Sequence, residues 1–295
     1  MINILFHGIL SKVGDDMDNQ DLHEELLRSG EKRLFLNYGA KIDAKYAAAT
    51  NTKYHAHRLD VLGSVLDGCD RIIPGARVID FGCGDGLFGK IMAKKGAIVT
   101  NVDPSELLLE KCRAEMGDSH FYINDTVNAF LSLGSGEYDV VTAFDVLSYL
   151  TEEEEIAFYT GALKLLRPGG VLITTHSNEL FDLYTFNRYT VSFFGKHFGV
   201  DVSSLLVNPE KPLRSLQNIR DNPMSHSVKL GKYGFDLMGL QYLMHHPVPP
   251  LLNPAHNPDA LDQRELLDTL SVAPEDRWKL NFTCSVFCAV AKKAS

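Results

Sequence analysis

Between about residue 70 and residue 176 the apolar positions of this chain keep two alternating rhythms. Short apolar runs rich in β-branched residues recur at Val78-Ile79, Ile98–Val102, Phe121–Ile123, Tyr138–Phe144 and Val171–Thr175, each of a length suited to a buried strand. Between them lie stretches carrying helix-start signals. A helix is predicted from Leu87 to about Lys95, and a second opens at Pro104-Ser105 with Ser105 as N-cap and Glu106 in the first turn. Thr151 and Glu154 form a capping-box pattern, so Glu152–Glu155 reads as a helix start rather than an acidic docking run. That helix is expected to run to Leu166 and stop at Arg167-Pro168-Gly169-Gly170. Strands alternating with helices predict an α/β fold built on an open, mostly parallel sheet.

The pattern is looser on both sides. Alternation from Phe282 to Lys292 predicts a final strand, and Leu237–Met244, after the turn Tyr233-Gly234-Phe235, predicts the one before it. About 60 residues separate the fifth strand from the sixth, and about 40, Pro247–Asn281, separate the sixth from the seventh. Residues 1–70 read as largely helical, with Leu22, Leu26, Leu27 and Leu34 spaced for one face. The expected organisation is a helical N-terminal segment over 1–70 and a main domain over 71–295, with insertions at about 177–232 and 247–281.

The richest chemistry lies at Val78-Ile79-Asp80-Phe81-Gly82-Cys83-Gly84-Asp85-Gly86, a strand end running through a glycine-rich turn into a helix. Alternate glycines let the backbone turn tightly and leave room where a side chain would stand. The helix that follows aims its free N–H groups and positive dipole end at the turn. Two ligand classes compete for it. Gly84-x-Gly86-x-x-Gly89 satisfies the GxGxxG pattern of dinucleotide enzymes. Asp80, two places before the first glycine, suits instead the ammonium of S-adenosylmethionine and would repel a pyrophosphate. Asp103 ends the second strand 23 residues after Asp80, where a carboxylate can accept both ribose hydroxyls of either ligand.

The glycine stretch resembles the first motif of the class I S-adenosylmethionine-dependent methyltransferases, (V/I)-(L/I)-(D/E)-x-G-x-G-x-G, at every position. Leu166-Arg167-Pro168-Gly169-Gly170-Val171-Leu172, whose proline stands 82 residues after Gly86, resembles the same family's signature before its fifth strand. The resemblance implies a Rossmann-like seven-stranded sheet of order 3-2-1-4-5-7-6 with an antiparallel last strand. It implies S-adenosylmethionine as cofactor, held by Asp80, Gly82, Cys83, Gly84, Gly86, Asp103, Pro104, Asn124, Asp125 and Asp145. Asn124-Asp125 stand where the family commonly contacts the adenine amino group, although they also read as the cap of the next helix. Asp145 and Tyr149 fall after the fourth strand, where methyl donor and acceptor meet in the family. A helical N-terminal lid is also a family trait, making Tyr38, Tyr46, Tyr54 and His55 candidates for closing the site.

Composition narrows the acceptor. A net charge of −9, with no run of lysines and arginines, argues against nucleic acid. The fourth strand leads into Phe144-Asp145-Val146-Leu147 rather than an Asn-Pro-Pro-Tyr motif, which disfavours nucleobases. No stretch has the roughly 18–20 apolar residues of a membrane helix. Ile2–Phe6 lacks the basic flank of a signal peptide, and five scattered cysteines suit a reducing cytoplasm. Cys284 and Cys288 read as small core residues, and no metal site is expected, since adjacent His245 and His246 would face opposite sides of a strand.

A small-molecule acceptor remains, with oxygen favoured over nitrogen because His176, His245 and His246 stand at strand ends as candidate bases alongside Asp145 and Tyr149. A sugar or related metabolite is the first guess. Seven aromatics within Phe181–Phe198 suit an apolar acceptor wall or a homodimer contact. An NAD-dependent oxidoreductase and a non-catalytic cofactor-binding regulator are the alternatives.

Overall fold

The computed structural model describes residues 53–181, 219–245 and 272–294. The expectations placed on the leucine-spaced segment, on Tyr38 and Tyr46, on most of the aromatic run and on His246 lie outside those residues.

Helix α1 (Lys53–Gly68) leads to β1 (Arg77–Phe81), α2 (Leu87–Lys94), β2 (Ile98–Val102), α3 (Glu106–Met116) and β3 (Phe121–Ile123). A short α4 (Ala129–Ser132), β4 (Tyr138–Ala143), a 3-10 turn at Leu147–Tyr149, α5 (Glu152–Leu165) and β5 (Leu166–Ser177) follow. The C-terminal part holds α6 (His226–Lys232), β6 (Phe235–His245), a 3-10 turn at Pro274–Lys279, the single turn α7 (Leu280–Thr283) and β7 (Cys284–Lys293). The expected caps are present: Ser105 accepts the Leu108 N–H, and Thr151 and Glu154 make the reciprocal capping box. These contacts satisfy N–H groups that the helix itself leaves open.

The seven strands form one sheet in the order β3-β2-β1-β4-β5-β7-β6, with β7 antiparallel to both its neighbours. The sequence-derived order is therefore the observed one. Period-2 alternation splits the core into two layers. Ile79, Val141 and Leu172, adjacent in register, face one side together with α5 residues Phe158, Tyr159 and Leu165. Val78, Val140, Val171 and Ile173 face the other, with Leu62 and Leu66 of α1 and Met92 of α2. Full burial of such aliphatic side chains stabilises by about 1.5–3 kcal/mol each.

Three strand boundaries differ from expectation. β5 begins at Leu166 rather than Val171, because Leu166 pairs with Tyr138 and the ladder slips before Val140 meets Val171. The Pro168-Gly169-Gly170 stop is thus absorbed as an irregularity within the strand, with Gly169 at φ +69°. β6 starts at Phe235, directly after Gly234 at φ +80°, and reaches His245. β7 starts at Cys284 because Leu280–Thr283 closes a helical turn first. Cys284 and Cys288 are buried free thiols, as expected of core residues.

Candidate active site

The order of the sheet reverses between β1 and β4, and the carboxyl ends of strands at such a reversal are where open α/β sheets bind ligands. Three positive-φ glycines shape the turn there, for two different reasons. A side chain at Gly82 (φ +70°) would overlap that of Val146, and one at Gly86 (φ +83°) would stand 2.5 Å from the Cys112 sulfur on α3. At Gly84 (φ +55°) a Cβ would meet no atom of the described protein within 4 Å. Gly82 and Gly86 are therefore demanded by internal packing. Gly84 keeps open space beside the N-terminus of α2.

Asp103, nearly buried, seals one flank. Its Oδ2 accepts the Gly84 N–H at 3.0 Å and its Oδ1 accepts the Ser105 N–H at 2.8 Å. Burial pushes its carboxyl above the ordinary value, and the two N–H bonds offset part of that rise. Each oxygen keeps a lone pair for a diol. Asn124 donates to the Asp103 carbonyl at 3.2 Å and Asp125 accepts the Thr126 N–H at 2.7 Å, but neither caps the next helix as expected: α4 starts after Asn128, without a side-chain cap bond. Pro104 lies between Asp103 and the N-cap Ser105 of α3, while the Cys83 N–H donates to Val102 at 3.1 Å and carries the glycine turn across to β2.

Asp80 is 2% exposed on the face shared with α1 and α2. Its Oδ1 accepts from the Thr142 hydroxyl at 2.9 Å, whereas Oδ2 is buried without a hydrogen-bond partner. Burial, with Asp103 adding to it, pushes the carboxyl up to about 6 against the Thr142 hydroxyl and the Gly89 N–H. Above that value the carboxylate carries a buried charge, which a cationic partner would offset. The sign of the stability effect follows. Between the unfolded value of 3.8 and about 6 the folded state holds the extra proton, so this group's contribution is full at low pH and is lost as pH rises through about 6. We expect unfolding free energy without ligand to fall by roughly 3 kcal/mol across that window on account of Asp80. The Asp80→Asn variant should flatten the decline in a pH series of denaturant unfolding. Parallel wild-type and variant curves would refute it.

Asp145, after β4, has left-handed backbone at φ +57°, unusual for a non-glycine residue. Three contacts over-determine it. Its N–H donates to the Thr175 hydroxyl at 2.7 Å, that hydroxyl returns a bond to Oδ1 at 3.3 Å, and Oδ2 meets Arg58 Nη1 at 2.5 Å. Arg58, from α1, was not among the sequence-derived site residues. It stands 87 positions from its partner, and no local pattern links residues that far apart. Tyr149 is half-buried on the turn that follows Asp145.

The three histidines are not equivalent. His176 points to the opposite face of the sheet from Asp145, its ring fully buried, with Nε2 2.7 Å from the Thr174 hydroxyl and Nδ1 2.8 Å from Asp221 Oδ2. His245 is buried at the end of β6, and His246 lies outside the described residues. Asp221, like Arg58, carries no local motif that marks it in the sequence. It arrives on the chain returning toward α6, pairing with the end of β5 through Asp221 N–H to Ser177 O and Glu179 N–H to Asp221 O, each 2.9 Å.

Comparison with known proteins supplies independent findings. Residues 79–172 match a family model described as a methyltransferase domain. A ubiquinone biosynthesis O-methyltransferase of Vibrio parahaemolyticus is 32% identical over 199 residues, 62% of this chain and 82% of that protein. The protein of the same name from Aromatoleum aromaticum is 33% identical over 126 residues, 41% of this chain and only 53% of its own length. In structure, a SAM-dependent methyltransferase from Archaeoglobus fulgidus shares the fold at a TM-score of 0.51 and 16% identity, covering 80% of this chain and 94% of that one. No helix among the described residues is long and apolar enough to cross a membrane.

Proposed function

The chain belongs to the class I S-adenosylmethionine-dependent methyltransferases, and we propose that within that family it methylates an oxygen of a small-molecule acceptor. The family assignment decides between the two cofactor classes that the glycine pattern alone leaves open. The single observation that carries the site assignment is the pairing of the open cradle at Gly84 with the Asp103 carboxylate that borders it. In this reading the Asp103 oxygens take the ribose hydroxyls, Asp80 Oδ2 receives the ammonium directly or through water, and Gly82–Gly86 lie along the amino-acid part. Asn124 and Asp125 border the adenine. The bound cofactor supplies a sulfonium methyl that is already electrophilic, so the residues of this chain need mainly to align a lone pair and exclude water.

The oxygen preference draws on the relatives, which are named as O-methyltransferases, and on the polar groups around Asp145. Fixed by Thr175 and Arg58, that carboxylate can accept a hydrogen bond from an acceptor hydroxyl and hold it in line. Proton removal falls to His245 or His246 before His176, whose two ring nitrogens are engaged by Thr174 and Asp221. An acceptor screen across phenols, sugars, carboxylates and amines, read by release of S-adenosylhomocysteine, tests the reading. Turnover is expected with a hydroxyl compound. Arg58→Met, which frees Asp145 from its clamp, is expected to lower kcat about tenfold or more while cofactor affinity stays within a few-fold. Turnover confined to amines would overturn oxygen transfer. No product release with any class of acceptor, despite tight cofactor binding, would favour a regulator.

A further inference from the structure

On the far side of β5 from Asp145, three donors of metal-ligating type converge: His176 from β5, Asp221 from the returning chain and His226 at the start of α6. All three are buried, and their donor atoms lie within 4.8 Å of one another. His176 Nδ1 stands 2.8 Å from Asp221 Oδ2, and His226 Nδ1 stands 3.9 Å from Asp221 Oδ1.

His226 is the unexplained member. It is 1% exposed, and neither ring nitrogen has a hydrogen-bond partner. Its neighbours are the ring of His176 at 4.3 Å between centroids and the edge of Phe287 at 5.1 Å. An imidazole whose two polar atoms are both unsatisfied in a buried setting costs on the order of a few kcal/mol. A leucine or phenylalanine would fill the same space without that cost. The residue type calls for a ligand.

The surrounding groups have the arrangement that metal ligands need. The Thr174 hydroxyl holds His176 Nε2 and leaves Nδ1 directed at the cluster. Lys229 Nζ bonds Asp221 Oδ1 at 2.6 Å and Glu155 at 2.5 Å, which orients the carboxylate and reserves Oδ2 as a monodentate donor. A tetrahedral zinc ion, at about 2.0–2.1 Å from its ligands, keeps donor atoms about 3.3 Å apart. His176 Nδ1 and Asp221 Oδ2 stand 2.8 Å apart and all three donor atoms lie within 4.8 Å of one another, so small side-chain shifts bring them to that spacing. Two imidazoles with one carboxylate select a transition metal of the zinc class over magnesium or calcium, which take oxygen ligands.

We propose that His176, Asp221 and His226 bind one divalent transition-metal ion of the zinc class, with a fourth position left for water or another ligand. The ion would tie the end of β5 to the returning chain and to the start of α6. It stands apart from the cradle at Gly84 and from Asp145, and the proposal is independent of the methyl-transfer reading. Ligation through His176 Nδ1 requires that nitrogen to be unprotonated, with the ring proton on Nε2 donating to the Thr174 hydroxyl.

The test uses the full chain prepared without a histidine tag and stripped with a chelator. Titration with Co²⁺ should reach about one equivalent per chain with tetrahedral visible absorption, and Zn²⁺ should displace it and raise the Tm. His226→Ala, which leaves the His176–Asp221 pair in place, should weaken Co²⁺ binding at least tenfold and abolish the Tm rise, whereas His245→Ala should retain both. Should His226→Ala fail to fold, the wild-type stoichiometry and spectrum decide. Absence of a stoichiometric tetrahedral Co²⁺ spectrum, or binding unchanged in a folded His226→Ala variant, would overturn the site.

Discussion

Replacing Asp103 with alanine is expected to weaken binding of S-adenosylhomocysteine about a hundredfold or more. The carboxylate already accepts the Gly84 and Ser105 N–H groups, one on each oxygen, which fixes it at the rim of the cradle. Its remaining lone pairs are what a ribose diol would meet. Hydrogen bonds to a charged acceptor contribute about 1.5–3 kcal/mol each. Two of them, at about 1.4 kcal/mol per tenfold, give at least two orders of magnitude. The variant also loses the tie between the glycine turn and the start of α3, so the cradle itself loosens. Calorimetry with the product, beside a thermal melt to establish folding, checks the expectation. A folded variant that binds within threefold of wild type would remove Asp103 from the cofactor site, and with it the reading of the β2 end.

How much of this could be read from the chain depended on the range of the interactions. The strand and helix rhythm and the caps at Ser105 and Thr151 are local, and the order of the sheet followed once the glycine turn and the Pro168-Gly169-Gly170 signature matched a known family. The residues proposed for the cofactor side could be named for the same reason: they close successive strands at one edge, and a strand end is visible in a local pattern. Asp103 needed only the end of an apolar run after the glycine turn.

The acceptor side was less legible, because its geometry depends on which face of a strand end a side chain takes. His176, on β5, faces the α5 side with Leu172, and Thr175 faces the other, where it meets Asp145. A reading that placed Asp145 and His176 at one edge did not separate the two faces. Period-2 counting from Leu172 would have done so. Arg58 and Asp221 were beyond such counting. Each reaches its partner through tertiary packing, Arg58 from α1 to Asp145 and Asp221 from 45 residues away to His176. Asp221 shows the physics of such a pairing. Burial pushes its carboxyl up, yet the neighbouring His176 and Lys229 outweigh that and hold it well below the usual carboxylate range.

The glycine turn offers a sharper separation of folding from binding. Gly82→Ala is expected to destabilise the protein by roughly 2–5 kcal/mol. The left-handed backbone costs about 1–2 kcal/mol once a Cβ is present, and overpacking typically adds about 1–3 kcal/mol. Here the new methyl would overlap the Val146 side chain, which packs against the buried layer that includes Phe81 and Leu147. Gly84→Ala meets no such obstacle among the described residues, so its stability loss should stay near the backbone cost of about 1–2 kcal/mol. Its effect should fall on affinity, because the methyl would project into the space left for the cofactor, with an expected loss of tenfold or more. Urea unfolding and product calorimetry on both variants read the two quantities separately. The decisive comparison is Gly84→Ala. If it binds the product as wild type does, the open space beside α2 is not where the cofactor lies, and the assignment of the cradle fails even if Gly82→Ala unfolds as expected.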